Sequence, residues 1–130
     1  MMASLHLSLL DGVYAVCRLE RDATLPDWAQ TGDFYALVRT ADELSVVCER
    51  EVVPPDVTQE VDWRILKVAG PLEFTMIGVL ARLAQPLAEA DVSIFVVSTY
   101  DTDYLMVKDE KLEPALTALR AAGYTIDEGS

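Results

Sequence analysis

The sequence predicts an α+β fold: two units of antiparallel sheet with helices on one face. Three observations carry that expectation. The C-terminal half reads strand, helix, strand, strand, helix, strand. The N-terminal half offers four candidate strands and little helix. A short stretch of the first half, LVRTAD, resembles VVSTYD in the second. A βαββαβ order is the ferredoxin-like arrangement, with two helices over one face of a four-stranded sheet.

The first element, residues 5–10, alternates weakly and stops at Asp11-Gly12. That dipeptide favours a tight turn, so an N-terminal hairpin with residues 13–19 is expected. Pro26 to Gln30 suits a short helical turn before Gly32. Residues 34–38 and 44–48 are rich in β-branched and aromatic side chains and read as strands around the turn Thr40-Ala41-Asp42-Glu43. Pro54-Pro55 breaks the pattern and marks the boundary between an N-terminal unit, 1–56, and a C-terminal unit, 57–130.

Residues 63–68 then alternate as a strand ending at Gly70-Pro71. Apolar residues at Ile77, Leu80, Ala81, Ala84, Leu87 and Ala88 give the spacing of a helix over 75–90. Pro86 lies inside it and removes a backbone donor, which predicts a kink or an early end. Residues 92–97 form a continuous apolar run, as buried strands do. A strand over 104–107, a helix over 112–122 with Gly123 just past its end, and a last strand over 124–126 complete the order.

Composition narrows the function. The 130 residues are 52% hydrophobic and 25% charged, enough apolar material for a core. Ten basic against 22 acidic residues give a net charge of -12. A chain this acidic repels phosphate backbones and anionic membranes, so neither nucleic acid nor membrane is an expected partner. No stretch reaches the roughly 18 to 20 apolar residues of a membrane helix. The N-terminus has no basic leader segment. Cys17 and Cys48 sit in apolar runs and read as buried free thiols in a reducing, cytoplasmic setting. A single histidine, His6, without a Cys/His cluster implies no metal or other cofactor.

Two loops could carry chemistry. Gly70-Pro71-Leu72-Glu73-Phe74-Thr75 leads from a strand into a helix, with Thr75 as a candidate cap. Free N–H groups at such a helix start suit a carboxylate, although an ordinary capped turn has the same sequence. Ser98-Thr99-Tyr100-Asp101-Thr102-Asp103 is the most hydroxyl-dense loop, and its acids could receive an ammonium or a guanidinium; a solvated hairpin is the plain alternative. Asp101-Thr102-Asp103 also has the DxD form of aspartate-based phosphoryl transfer. That chemistry needs Mg²⁺, a lysine and further carboxylates. No Gly-x-Ser-x-Gly elbow is present. The acids Glu49, Glu51, Asp56, Glu60 and Asp62 read as a solvated surface, and Trp28 and Trp63 as packing anchors.

The run WRILKVAGPLEFTMIGVLARLAQPLAEADVSIFVVSTYDTDYLMV resembles the small bacterial tandem ACT-domain proteins, and these are similar to the ACT units of the animal cytosolic arginine sensors. FYALVRTADELSVVCERE resembles the preceding unit of the same proteins. The resemblance implies two ACT-like units and a non-catalytic regulatory module that binds a free amino acid where units pair. It implies one wall at Ser45 and Val46, a helix start at Gly70, Pro71, Leu72, Glu73 and Thr75, and a loop with Ser98, Thr99, Asp101 and Asp103. The acids lean towards a cationic or neutral ligand. A homo-oligomer is expected, since ACT-like units commonly pair side by side. The alternative is a pairing or docking module with a vestigial pocket.

Overall fold

The computed structural model describes residues 5–69 and 78–129. Among them are eight strands and two α-helices: β1 (His6–Leu9), β2 (Tyr14–Leu19), β3 (Ala36–Arg39), β4 (Leu44–Glu49), β5 (Thr58–Val68), α1 (Val79–Glu89), β6 (Phe95–Ser98), β7 (Asp103–Lys108), α2 (Leu112–Ala121) and β8 (Thr125–Asp127). Short 3-10 turns fill Asp27–Ala29, Arg50–Val52 and Asp109–Lys111. The chain divides into a small unit, Gly12–Trp63, and a large unit, Met1–Asp11 with Arg64–Ser130. Strand β5 passes from one to the other.

The small unit orders its strands β3-β4-β2-β5. Taken in its own chain order, that is second, third, first, fourth. Its core is Ala15, Cys17, Ala29, Leu44, Val46 and Cys48, with Trp28 and Leu37 packed against it. It has no α-helix among the described residues. The segment after β2 carries Pro26 and Gly32 among polar residues, and the segment after β4 carries Pro54-Pro55. Each supports only a 3-10 turn where a helix would otherwise cross.

The large unit places β6 beside β7, β7 beside β5, β5 beside β1, and β1 beside β8. Without β1, the order is again second, third, first, fourth. Its core joins Leu7, Leu66, Val68, Leu105 and Val107 from the strands to Leu83 and Leu87 of α1 and Leu116 and Leu119 of α2. Burying side chains of this size removes them from water for roughly 1.5 to 3 kcal/mol each. Helix α1 buries Val79, Leu83 and Leu87, one stripe at i, i+4, i+8.

Both helices end in the same way. Gly123 (φ +100°) donates to the Arg120 carbonyl at 3.0 Å and Tyr124 to the Leu119 carbonyl at 3.1 Å. At the end of α1, Asp91 (φ +60°) donates to Ala88 at 3.1 Å and Val92 to Leu87 at 2.9 Å. This is the Schellman pattern, with Asp91 standing where glycine is the usual choice.

One expectation is corrected. The N-terminal hairpin does not form: β1 pairs with β5 antiparallel (Leu7 with Val68) and with β8 parallel (Leu7 with Ile126), while β2 pairs with β4 and β5. Fully buried Leu7 completes the core of the large unit, and that burial outweighs the local turn preference of Asp11-Gly12. Helix α1 starts at Val79, with Gly78 (φ +77°) at its cap position; residues 75–77 of the expected helix lie outside the described residues. Pro86 lies inside the helix, which runs on to Glu89.

Candidate functional site

The most polar loop becomes the turn of the β6–β7 hairpin. Its last paired residues are Ser98 and Asp103. Beyond them the Thr99 N–H donates to the Thr102 carbonyl at 2.8 Å, and the Thr99 hydroxyl donates to the same carbonyl at 3.0 Å. The Thr99 hydroxyl also accepts the Thr102 N–H at 3.3 Å. Tyr100 and Asp101 are exposed at the tip. Thr102 is buried, and its hydroxyl donates to the Val68 carbonyl at 2.8 Å. That bond fixes the hairpin beside the end of β5. Two parts of the chain that the sequence singles out separately, the strand leading to Gly70 and the STYDTDY loop, are therefore neighbours at Val68 and Thr102.

Asp103 opens β7 and is half-buried. Strand alternation puts it on the face of Leu105 and Val107, which pack with the helices. Ser98 lies opposite on the same face, because directly paired residues share one. A carboxylate and a hydroxyl thus stand together at the margin of an apolar core. The carboxylate accepts hydrogen bonds only and suits a cation; the hydroxyl can donate or accept.

The small unit carries the same hairpin with a different final pair. The Thr40 N–H donates to the Glu43 carbonyl at 2.9 Å, and the Thr40 hydroxyl accepts the Glu43 N–H at 3.2 Å. Here the last paired residues are Arg39 and Leu44. Where the large unit has Ser98 and Asp103, the small unit has a guanidinium and a fully buried leucine. The echo between LVRTAD and VVSTYD is thus a structural repeat of one Thr-closed turn.

The other expected site residues fall elsewhere. Gly70, Pro71, Leu72, Glu73 and Thr75 lie outside the described residues. Ser45 and Val46 are in β4 of the small unit. Val46 is wholly buried in that unit's core, and its backbone pairs with Cys17 on one side and Leu37 on the other. Its side chain packs in that core. Ser45 is half-buried. Thr102 and the pairing of Ser98 with Asp103 escape sequence reasoning. The signal for Thr102 is its place in the repeat of Thr40-to-Glu43 as Thr99-to-Thr102, which shows it to be the closing residue of the turn.

The described residues contain no group of three or more histidine, cysteine or acidic residues able to hold a metal. No described helix is long and apolar enough to cross a membrane. A family model for the ACT domain matches residues 59–121, and a second model, for an N-terminal domain, matches residues 12–56. A crystal structure of an Agrobacterium tumefaciens protein is 35% identical, with 99% of this chain and 96% of that chain covered and a TM-score of 0.93.

Residues 59–121 belong to the ACT-domain family.

Among curated relatives, this ACT protein is 34% identical over 59 residues to the human cytosolic arginine sensor for mTORC1 subunit 1. The match spans 45% of this chain and 18% of that relative's length. The regulatory subunit of aspartate kinase from Thermus thermophilus shares the fold at 14% identity, with 93% of this chain and 99% of that chain covered and a TM-score of 0.62. An ACT protein with two helix-poor and helix-bearing halves of equal strand order is a regulatory ligand-binding module by type.

Proposed function

We propose that this ACT protein is a non-catalytic sensor of a free amino acid, held at the β6–β7 hairpin of the large unit. One observation carries the proposal: Ser98 and Asp103 replace the Arg39 and Leu44 pair of the small unit, so an otherwise identical turn presents a carboxylate where the small unit has a buried leucine and a hydroxyl where it has a tethered guanidinium. Asp103 receives the ligand's ammonium or a cationic side chain, and Ser98 and Thr99 add hydroxyl contacts. The carboxylate of the ligand goes to backbone N–H groups where β5 leads towards α1, with Gly70, Pro71, Leu72, Glu73 and Thr75 as the expected partners. Asp101, at the tip, adds negative charge, and the net charge of -12 disfavours an acidic side chain.

The relative named as an arginine sensor supports an amino-acid ligand, and a cationic or neutral one fits these acids. The proposal carries a cytoplasmic location, in keeping with two buried free thiols, and self-association through the edge of β6, which among the described residues pairs with β7 alone. The experiment is a thermal-shift screen of the twenty amino acids at millimolar concentration. A ligand at 100 times its dissociation constant stabilises the folded state by about 2.7 kcal/mol. That is on the order of ten degrees for a chain of this length. A screen in which no amino acid moves the midpoint defeats the sensing function and favours a module that acts by pairing alone.

A further inference from the structure

The Asp11-Gly12 step, whose sequence favours a tight turn, closes none. Both residues are exposed, and Gly12 stands at φ +92°. Among the described residues the Gly12 N–H donates no hydrogen bond, and the Asp11 carboxylate meets neither a donor nor a cation. The residues on either side are held. The Leu10 N–H donates to the Ile65 carbonyl at 2.9 Å, and the Val13 carbonyl accepts the Arg50 N–H at 2.9 Å. A Cβ placed on Gly12 would meet nothing closer than Tyr14 Cε1, at 3.8 Å, so the space around this step is open.

A main-chain nitrogen can reach the side-chain carboxyl carbon of a preceding aspartate through a five-membered ring, because the two groups are held close by the chain itself. A Cβ on the residue that owns the nitrogen crowds that approach, and glycine has none. The sequence has no asparagine, and Asp11 is the one aspartate followed by glycine. Asp22-Ala23 is the next least crowded step, but the Ala23 N–H is committed to the Glu20 carbonyl at 3.0 Å.

We propose that Asp11-Gly12 is a site of spontaneous isoaspartate formation in the folded protein. The Gly12 nitrogen attacks Cγ of the Asp11 carboxyl group. The N–Cγ bond forms, the carboxyl hydroxyl leaves with the amide proton as water, and the product is a succinimide. Water then opens the ring. Cleavage between the Gly12 nitrogen and the main-chain carbonyl carbon of Asp11 leaves Gly12 attached through Cγ, the isoaspartyl form. Cleavage of the new bond restores aspartate. The isoaspartyl form has one extra carbon in the main chain and a free α-carboxylate that an isoaspartyl methyltransferase can methylate. That carbon enters where the chain passes from the large unit, at Asp11, to the small unit, at Gly12. A longer connection between the held residues Leu10 and Val13 costs more entropy to close, so the modified protein is less stable.

The test is incubation of the protein at physiological temperature and neutral pH, followed by digestion with trypsin. Residues 1–18 leave as one peptide, cut after Arg18. This peptide is expected to gain a species of equal mass and altered retention that accepts a methyl group from S-adenosylmethionine, preceded by a species one water lighter. The folded protein is expected to keep pace with the free synthetic peptide 1–18. The peptide that carries Asp22 stays aspartyl. Asp11→Glu, whose ring would have six members, loses the signal; Asp11→Asn, which releases ammonia in place of water, gains it faster. Isoaspartate in the synthetic peptide but not in the folded protein, or undiminished methyl acceptance in Asp11→Glu, overturns the site. Equal thermal midpoints of the separated isoaspartyl and parent proteins overturn the claim that chain length at this step bears on stability.

Discussion

The Thr102 hydroxyl donates to the Val68 carbonyl at 2.8 Å, and through that bond the β6–β7 turn is tied to the end of β5. Thr102 is the sole buried polar residue among those described. Its partner is the carbonyl of the last residue of β5, so position of the hairpin and exit of the strand are set together.

Thr102→Val is expected to cost about 1 to 2 kcal/mol, because it removes the donor and leaves a buried carbonyl short of a partner. Thr102→Ser keeps the hydroxyl and costs less. Urea unfolding of the three proteins measures this. Equal stability of Thr102→Val and the parent would show that the bond does not anchor the hairpin.

Asp91 occupies the left-handed position after α1 that Gly123 occupies after α2. A side chain there carries strain that glycine lacks. Asp91→Gly is expected to raise stability by about 0.5 to 1 kcal/mol, and Gly123→Ala to lower it by a similar amount. Thermal midpoints check both. A loss of stability in Asp91→Gly would mean that the aspartate side chain contributes more than its backbone costs.

Cys17 and Cys48 lie on neighbouring strands, β2 and β4, within one core. A thiol–thiol hydrogen bond with Cys17, followed by burial, pushes the Cys48 thiol well above its ordinary value; the same bond lowers the Cys17 thiol against burial, and the Cys48 direction governs because burial raises both. In the unfolded chain a cysteine ionises near 8.5. The folded state keeps the Cys48 proton that the unfolded state gives up, so its contribution to stability is full below about pH 8.5 and is lost as the pH rises beyond it. Urea midpoints between pH 7.5 and 9.5 are expected to fall by up to about 1 kcal/mol per pH unit, with a shallower fall in Cys48→Val. Identical slopes in the two proteins would remove Cys48 as the cause.

Much of the large unit is legible in the sequence because local pattern and tertiary demand agree there. The apolar period that places Leu83, Leu87, Leu116 and Leu119 on helices is the same period that fills the core. Gly123 likewise announces the end of α2 through its backbone freedom alone. The failures have one physical origin, contacts between residues distant in sequence. Asp11-Gly12 signals a hairpin, yet Leu7 is held by Val68 and Ile126. The STYDTDY loop is conspicuous by its hydroxyls and acids, but the division of labour inside it is not. Thr102 turns inward to Val68, Asp101 stays at the exposed tip, and Asp103 joins Ser98 at the end of the ladder. Arg39 and Ser98 occupy equivalent places in a repeat too short to interpret before the two turns show the same hydrogen bonds.

The central claim is that Asp103 supplies the charge that holds the ligand's cationic group. Calorimetric titration of the best amino acid into the parent protein and into Asp103→Asn tests it most directly. A charge-assisted hydrogen bond contributes about 1.5 to 3 kcal/mol, so a fall in affinity of roughly ten- to 150-fold is expected. The thermal midpoint without ligand should change by no more than about 0.5 kcal/mol in equivalent stability. Equal affinities in the two proteins would contradict the claim and move the cation-binding role away from Asp103.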